Sequence, residues 1–552
     1  MNQIYEHVKR CNTALPLILF AGILAFAAYP RFINLTNEGM TGCDTFQYWI
    51  LGHQWALGNY TLSDGYAGEL FRPVVFALHG FAMRLFGFND YAIKMLHASM
   101  DMINILLVFG IAALIGRSLW VGLFSALLYA FLPAVIGQSR HELIHIPSAT
   151  FVLLSVLFYV LFDLIEKRGR ILLGLLCVGL SGFALGCASG VHTELAFLFP
   201  PLAIMMVLST VLVPGRRKRV ILGRLLLWGG VFSLGCLSIY LAGGCYYGFE
   251  KVNELTLGVS STLPQSQVVP FQITAGFLTR GIASLTSNVV ESLFLGTVVV
   301  MVALGAAKVS TRVVWYVPWV CWLGYGILFE RFIGGGEQAE NFRLLIPLIP
   351  LVCVAIVSWY WNAIVTIVRR KWVANCAVGL GCIFLAWYGF IPYRSALAGH
   401  RAHYQTNFRA VHDVLKDKVD KNNKLLVASY LQPTARRGFQ QRMYFGNKAI
   451  YIIDCGPNKS LEAVLAENRI SYVYVGKRKL DEGILRQEMF YRHDLNDPAK
   501  CIPAPLVLGE CYGMNNQTYS LEKEHAFLAD VIRNKGGKTI WSNADGTICE
   551  LP

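Results

Sequence analysis

Long apolar segments are the feature that most constrains how this chain can fold. Runs of roughly 18 apolar residues, the length at which an α-helix crosses a bilayer, recur along the chain as far as Ile391. Of the 552 residues, 55% are hydrophobic and only 15% are charged, a composition too apolar for a soluble enzyme of this size. The chain is therefore predicted to be a polytopic α-helical membrane protein.

The apolar runs predict about eleven transmembrane helices. We place them at residues 15–29, 102–115, 119–136, 148–165, 171–188, 195–213, 225–242, 293–307, 313–329, 344–361 and 373–390. Because the number is odd, the two termini are predicted to face opposite sides of the membrane. Charged residues are almost absent from the interiors of these predicted spans.

Basic side chains lie in alternate connections between the runs and predict the orientation. They are Lys9 with Arg10, Arg117, residues 167–170, residues 216–219, Lys308 with Arg312, and residues 369–371. Under the positive-inside rule these connections and the N-terminus are cytoplasmic. The first loop, residues 30–97, and the tail then face outward, and such short basic loops favour a bacterial inner membrane. The net charge of +14 thus indicates topology signals and not nucleic-acid binding.

The tail differs in character from the rest of the chain. Residues 1–393 predict a transmembrane module, and residues 394–552 predict a soluble α/β domain on the outward, periplasmic or extracellular side. KLLVASY, KAIYIID and SYVYVG have the pattern of strands, and SLEAVLAENR and SLEKEHAFLADVIRNK have that of helices. Within the first outward loop, FQYWILGHQWALG and VVFALHGFAMRLFG predict helices that lie in the headgroup plane.

Four of the 14 cysteines lie in the predicted outward domain: Cys455, Cys501, Cys511 and Cys549. An oxidising compartment permits disulfides among them, and four cysteines allow three pairings. We predict a bond between Cys501 and Cys511, with free thiols as the alternative.

Asp44 is the candidate catalytic residue. It lies in the segment TGCDTFQYW, shortly after the first predicted span and therefore near the membrane surface. A carboxylate there can take a proton from an acceptor hydroxyl as that hydroxyl attacks a sugar. The structural alternative is that Asp44 caps a helix that begins at Thr45 or Phe46, since aspartate is favoured at that position.

Two arginines are candidates for binding a phosphate. Arg72 precedes Pro73 and an apolar helix, and Arg343 lies where the tenth predicted span enters the membrane. A guanidinium group can contact a phosphate through two parallel hydrogen bonds and neutralise its charge. Arginines at a membrane interface also occur simply because their charged ends extend toward water, and this alternative stays open for both.

Several polar residues gather in the two short outward loops that follow the third and fifth predicted spans. The first loop, GQSRHELIHIP, contains Arg140, His141, Glu142 and His145, and the second contains His192 and Glu194. These residues are candidate substrate contacts, and a solvated polar loop or a helix end is the structural alternative. His141, Glu142 and His145 form an incomplete set of metal ligands, so a divalent cation is a possible cofactor but no metal site is predicted.

These segments together resemble the GT-C superfamily of glycosyltransferases. The resemblance is to the group of protein O-mannosyltransferases, lipid A aminoarabinose transferases and bacterial lipid-linked glycosyltransferases. The segments that carry it are GCDTFQYW, FRPVVFALHGFAMRLFGFNDYAIKMLHA, HELIHIPSATFVLLSVLFY and NFRLLIPLIPL. An outward C-terminal α/β domain also fits many bacterial members.

The resemblance implies a GT-C fold and the transfer of a single sugar from a polyprenyl-phosphate donor to an acceptor on the outer face of the membrane, with inversion. It implies that Asp44 is the general base and that Arg72 meets the lipid phosphate, with Arg343 matched more loosely. The sequence departs from the family pattern at Thr45, where many members have a second acid, and at Ile146, where an acid is expected. Glu142 is the candidate substitute for the latter.

Two other functions remain open from the sequence. The first is a transporter or flippase for a lipid-linked sugar, although the acids gather on one side and not within the spans, where carriers place them. The second is a structural subunit of an envelope-building complex. No local motif specifies the sugar, the acceptor, the lipid length or the oligomeric state.

Overall fold

The computed structural model of the chain describes residues 2–37, 45–58, 72–89, 91–141, 143–166, 168–212, 218–250, 252–253, 313–322, 346–403, 408–427, 449–451, 461–476, 532–542 and 546–552. By the proximity of their Cα atoms, the residues form two compact units. The first unit comprises Met1–Leu35, Leu51–Phe88 and Ala92–Leu397, and the second comprises Thr36–Ile50, Asn89–Tyr91 and Ala398–Pro552. The second unit thus includes parts of the first outward loop, which the predicted division into residues 1–393 and 394–552 does not.

The apolar part of the chain is helical. Its helices are α1 (Asn2–Phe32), α2 (Thr45–Leu57), α3 (Pro73–Phe86), α4 (Ala92–Gly116), α5 (Leu119–Ala130), α6 (Pro133–Ser139), α7 (His145–Glu166), α8 (Ile171–Val191), α9 (Phe199–Val211), α10 (Lys218–Tyr247), α11 (Ile349–Val368) and α12 (Lys371–His403). Short 3-10 segments lie at Leu35–Asn37, Thr193–Leu198, Val313–Tyr316 and Ile346–Leu348. Both helices predicted in the first outward loop are present, as α2 and α3.

Six segments among the described residues are long and apolar enough to cross a membrane. They are Ala14–Phe32, Ala92–Gly116, His145–Glu166, Ile171–Val191, Lys218–Tyr247 and Ile346–Val368. The predicted span at residues 293–307 lies outside the described residues, so the total of about eleven spans stays a prediction. These helices confirm that the chain is a polytopic α-helical membrane protein.

Proline interrupts two of the predicted spans. The run at residues 119–136 ends as α5 at Ala130, and Pro133 begins the separate helix α6. The run at residues 195–213 divides into a 3-10 segment and α9, and Pro200 lies in the first turn of α9. Proline has no N–H to donate to the preceding turn, so it is tolerated at a helix start and breaks a helix interior.

Helix α4 lies at the centre of the helical unit and packs against α1, α3, α5, α7 and α11. The side chains of Ile105, Val108, Ile111 and Ala112 are fully buried in this core. On α8 and α10, by contrast, large apolar side chains such as Leu172 and Leu226 are exposed. Exposed leucines on a helix of this length are expected where the neighbouring solvent is the hydrocarbon of a bilayer.

Charged residues lie inside this core, which the apolar runs do not predict. Helix α4 begins at Ala92 and not near Met102, so Lys94 and Asp101 are part of it, and both are fully buried. Asp101 Oδ2 accepts from Arg31 Nε at 2.6 Å, and Asp101 Oδ1 accepts from the Tyr129 hydroxyl at 2.5 Å. Arg31 Nη1 also donates to Ala130 O, a carbonyl left at the end of α5, at 3.0 Å. The buried pair therefore ties together α1, α4 and α5.

Helices α8 and α10 pack closely along a row of glycines. Gly182, Gly186 and Gly190 recur every four residues on α8 and therefore lie on one face. A Cβ atom on Gly186 would lie 2.7 Å from the carbonyl oxygen of Cys236, and one on Gly235 would lie 2.7 Å from that of Gly179. Small residues that allow two backbones to approach are a common means of helix association within a membrane.

Gly186→Ala is expected to destabilise the helical unit by about 1–3 kcal/mol, because the added methyl group meets backbone and not a movable side chain. Gly229→Ala on α10 is the matched control, since the space around a Cβ atom there is open. Unfolding of the two purified variants in the same detergent measures the difference. Equal unfolding midpoints would show that the α8–α10 contact does not depend on glycine.

The described part of the tail contains a five-stranded sheet with the order β2-β1-β3-β5-β4. Its strands are β1 (Lys424–Val427), β2 (Ala449–Tyr451), β3 (Ile470–Gly476), β4 (Lys538–Ser542) and β5 (Gly546–Glu550), and its helices include α13 (Phe408–Leu415) and α14 (Leu461–Asn468). Strand β1 is parallel to β2 and β3, and β5 is antiparallel to β3 and β4. The three predicted strands and the helix predicted at SLEAVLAENR are present, whereas β4 and β5 were not predicted.

The sheet packs on α13 through a small apolar core of Val411, Leu415, Leu425 and Ile548. Cys549 on β5 is buried, and its Sγ lies 3.8 Å from Thr539 Oγ1. The other three cysteines of the tail lie outside the described residues. The Cys501–Cys511 disulfide and the outward placement of this domain therefore stay predictions.

Candidate functional site

Asp44, Glu142 and Arg343 lie outside the described residues, so the roles predicted for them stay predictions. Helix α2 begins at Thr45, directly after Asp44 in the chain. This start is one of the two expected if Asp44 is an N-cap.

Helices α2 and α3 cross in close contact. A Cβ atom on Gly52 would lie 2.7 Å from the Cβ of His79, and one on Gly80 would lie 2.8 Å from the carbonyl oxygen of Gly52. Arg84 Nε donates to Ala56 O at 3.0 Å, which satisfies a carbonyl at the end of α2. The two helices predicted in the first loop therefore pack directly against each other.

Arg72 is the residue that directly precedes α3, with Pro73 at the first helical position. Only 9% of it is exposed. The N-terminus of a helix carries partial positive charge, so the guanidinium group and the helix end favour an anion in the same place. This position suits the phosphate contact predicted for Arg72, which stays a prediction.

Hydrogen bonds from Arg140 and His97 hold the loop between α6 and α7, and one from Asn104 holds the first turn of α7. Arg140 Nη1 donates to Pro30 O at 2.7 Å, and Arg140 Nη2 donates to Ile33 O at 2.9 Å. His97 Nδ1 lies 2.8 Å from His141 O. Asn104 Nδ2 donates to Ile146 O at 3.5 Å. The predicted substrate contacts Arg140 and His141 thus belong to a segment that the helices α1 and α4 fix in place.

His79 and His97 form a buried pair that sequence reasoning did not identify. Their Nε2 atoms are 3.1 Å apart, and neither residue is exposed. A carbonyl only accepts, so His97 Nδ1 carries the proton that binds His141 O, and in neutral His97 the Nε2 atom accepts from His79. The only signal in the sequence is a histidine within each of two apolar helices, ALHGFAM and MLHASM.

His145 and His192 come together although they belong to different loops. Their ring centroids are 5.9 Å apart, and both side chains are almost fully buried. His145 is the first residue of α7 and His192 follows the last residue of α8, so the packing of α7 on α8 brings the two loops to the same place. Glu194 lies in the 3-10 segment that follows.

No metal centre is evident in the described ranges, where no three His, Cys, Asp or Glu side chains are arranged to hold an ion. Glu142 lies outside the described ranges, so the weak set of His141, Glu142 and His145 stays a prediction. Outside the membrane segments, burial lowers the pKa of His53 on α2 below its usual value, so this histidine is neutral near pH 7.

A family model matches the middle of the chain. Residues 79–257 match the model of the dolichyl-phosphate-mannose-protein mannosyltransferases. This range begins within α3, includes all of α4 to α10, and contains the loop of Arg140 and His141. No curated protein matches the sequence. The family match supports a glycosyltransferase.

A solved structure shares the fold over nearly the whole length of both chains. ArnT from Cupriavidus metallidurans bound to undecaprenyl phosphate matches with a TM-score of 0.52 and 12% identity, and the match covers 97% of each chain. The Archaeoglobus fulgidus oligosaccharyltransferase in complex with Zn and sulfate matches with a TM-score of 0.45 and 12% identity over 82% of this chain and 67% of that one. The Pmt1-Pmt2 protein O-mannosyltransferase of S. cerevisiae matches with a TM-score of 0.34 and 17% identity over 42% and 34%. The chain is therefore an integral membrane protein with the GT-C fold, as its sequence motifs predict.

Proposed function

We propose that this protein is a glycosyltransferase that moves a single sugar from a polyprenyl-phosphate donor to an acceptor at the outer face of its membrane. The observation that carries this proposal is the fold shared over 97% of each chain with ArnT, whose structure holds undecaprenyl phosphate. The family match over residues 79–257 names a transferase with a donor of the same chemical class, a polyprenyl phosphate linked to a sugar. The acceptor is a hydroxyl of a glycan, a lipid or a protein.

The chemistry of the donor agrees with this assignment. A long isoprenoid tail cannot leave the bilayer, so an enzyme that uses it must present its reactive groups at the level of the headgroups. Arg72, His145 and His192 lie at helix ends and not in helix centres. We place them on the outer face of a bacterial inner membrane, with the N-terminus in the cytoplasm and residues 394–552 in the periplasm.

In the proposed reaction, Asp44 accepts the proton of the acceptor hydroxyl as its oxygen attacks the anomeric carbon. The bond from that carbon to the phosphate oxygen breaks, and the electron pair leaves with the polyprenyl phosphate. Attack from the face opposite the leaving group inverts the anomeric centre. Arg72 and Arg343 neutralise the charge that grows on the departing phosphate, and electrostatic stabilisation of this kind is often the largest catalytic contribution.

The remaining polar residues of the two short loops take supporting roles in this proposal. His192 and Glu194 contact the sugar or the acceptor, and so do His141 and Glu142. A divalent cation, if the reaction uses one, would bind at His141, Glu142 and His145, where it would supply positive charge to the phosphate.

The release of free polyprenyl phosphate tests the function. The purified protein, in vesicles that contain a labelled polyprenyl-phosphate sugar and an envelope extract as acceptor, is expected to release the free lipid phosphate and to label the acceptor. A carrier would instead move the intact sugar lipid across the vesicle without turnover. If the intact sugar lipid moves across the vesicle and no free polyprenyl phosphate is released, with donors that carry a panel of different sugars, the transferase is rejected and the carrier is supported.

A further inference from the structure

Arg140, in the loop between α6 and α7, caps the C-terminal end of α1. The last carbonyls of a helix have no partner within it and carry partial negative charge. Arg140 donates to two carbonyls of this turn, Pro30 O at 2.7 Å and Ile33 O at 2.9 Å. The chain leaves the helix at Asn34, whose φ of 54° is left-handed. The arginine is 4% exposed, so it serves as a buried cap with positive charge at the negative helix end.

The next residue is held by a different helix. His141 O receives the hydrogen bond of His97 Nδ1 at 2.8 Å, and His97 in turn contacts His79 of α3 through a pair of Nε2 atoms 3.1 Å apart. The dipeptide Arg140-His141 is therefore bonded both to the end of α1 and to α4, and through α4 to α3.

The three segments joined in this way lead directly to the candidate catalytic residues. In the sequence, the end of α1 continues into the loop that contains Asp44, α3 follows Arg72 immediately, and His141 is followed by Glu142. We call the hydrogen bonds of Arg140 to the end of α1, together with that of His97 to His141 O, the brace. A planar guanidinium group holds two acceptors in fixed geometry and therefore suits this role, whereas a flexible ammonium group does not hold two acceptors in one plane.

We infer that Arg140 is a positioning residue that sets the end of α1 against the loop of His141, and that it is not a ligand of the donor phosphate. This inference rests on the proposed transferase function. Two of the five N–H groups of Arg140 bind backbone carbonyls, and only 4% of the residue is exposed, so its guanidinium group is held within the loop and is not presented to a ligand. Displacement of a catalytic group by about 1 Å can lower a rate roughly 100-fold, so the brace has a measurable effect on turnover.

Steady-state kinetics separate the two roles of Arg140. Loss of a positioning residue lowers kcat and leaves the KM for the donor nearly unchanged, whereas loss of a ligand that binds donor and transition state equally raises KM. We expect Arg140→Gln to lower kcat by about 10-fold to 100-fold, with the donor KM within about 2-fold of the native value. Arg140→Lys keeps the charge but not the planar fork, so it is expected to lower kcat in the same way.

The matched control is Arg117→Gln, which removes an exposed arginine from the turn between α4 and α5 and is expected to leave both constants unchanged. A rise in the donor KM of Arg140→Gln, or a loss of kcat that Arg140→Lys largely restores, would overturn the inference in favour of a phosphate ligand. Native kinetics in both variants would overturn it as well.

The other side of the brace offers a second variant pair. The amide nitrogen of asparagine can take the position of His97 Nδ1, whereas leucine has no donor. We expect His97→Asn to keep a larger share of the native kcat than His97→Leu. Equal kcat values for the two variants would show that the hydrogen bond to His141 O does not position the loop.

Hydrogen exchange tests the brace without activity. Amides of residues 31–37 are expected to exchange faster in Arg140→Gln than in the native protein or in Arg117→Gln, because the end of α1 loses its cap. Unchanged exchange would reject the brace even if the protein is an active transferase. If the native protein transfers no sugar but exchange rises as expected, the proposed function fails and the structural role of Arg140 stands.

Discussion

Asp44→Asn is expected to lower the turnover of the donor by about 100-fold to 10,000-fold, the range that a positioned general base contributes. Asparagine has nearly the shape of aspartate but cannot accept the proton of the acceptor hydroxyl. Asparagine is also as good an N-cap as aspartate, so the start of α2 at Thr45 is expected to be unaffected. The measurement is the initial rate of polyprenyl phosphate release from saturating donor.

Two further variants separate the base from the cap. Asp44→Ala removes both functions and is expected to lose the same activity together with about 1 kcal/mol of stability. Asp413→Asn is the control for the substitution itself, since this aspartate on α13 is 62% exposed. Native turnover in purified Asp44→Asn, with loss of stability confined to Asp44→Ala, would show that Asp44 is only a cap.

Asp101→Asn is expected to destabilise the helical unit by about 3–5 kcal/mol, the typical effect of removing one partner of a buried ion pair. The Nε atom of Arg31 lies 2.6 Å from the carboxylate, and neither side chain is exposed. Without that charge, a guanidinium group stays in a medium of low dielectric constant with only carbonyl partners. Denaturant titration of the purified protein in mixed micelles measures the free energy of unfolding.

A double variant shows whether the destabilisation comes from the unpaired charge. Arg31→Met with Asp101→Leu replaces the pair by apolar groups, which is often neutral or stabilising, and is expected to recover most of the loss. Asp413→Asn again serves as the control, because an exposed aspartate contributes at most about 1 kcal/mol. A double variant as unstable as Asp101→Asn would show that shape and not charge matters at this position.

The sequence predicts those elements whose pattern is local. Apolar runs are sufficient for α7, α8 and α11, because each is long and apolar throughout and needs no particular neighbour to be recognised. Alternating apolar and β-branched residues are sufficient for β1 and β3. The hairpin of β4 and β5 is not predicted, because its strands are short and contain threonine, serine and tryptophan on partly exposed faces. Asp545-Gly546 is nevertheless a typical turn signal.

The buried polar residues of the helical unit are not predicted from the sequence for a different reason. Lys94, His97 and Asp101 lower the hydropathy of the first half of α4, so the apolar run begins at Met102 while the helix begins at Ala92. Whether a charged residue can enter a helix bundle depends on a partner distant in sequence, and Asp101 has its partner 70 residues earlier at Arg31. A local pattern contains no information on that pairing.

Composition and the spacing of apolar runs by themselves determined that this chain is a membrane protein, and its short motifs determined the fold. The sequence is sufficient for this because every backbone polar group within a bilayer must be hydrogen-bonded, which leaves few possible structures. Only the tertiary structure decided that Arg140 caps α1, that His97 binds the loop of His141, and that His145 meets His192. These contacts join residues far apart in the chain, and their geometry follows from how the helices pack rather than from any segment alone.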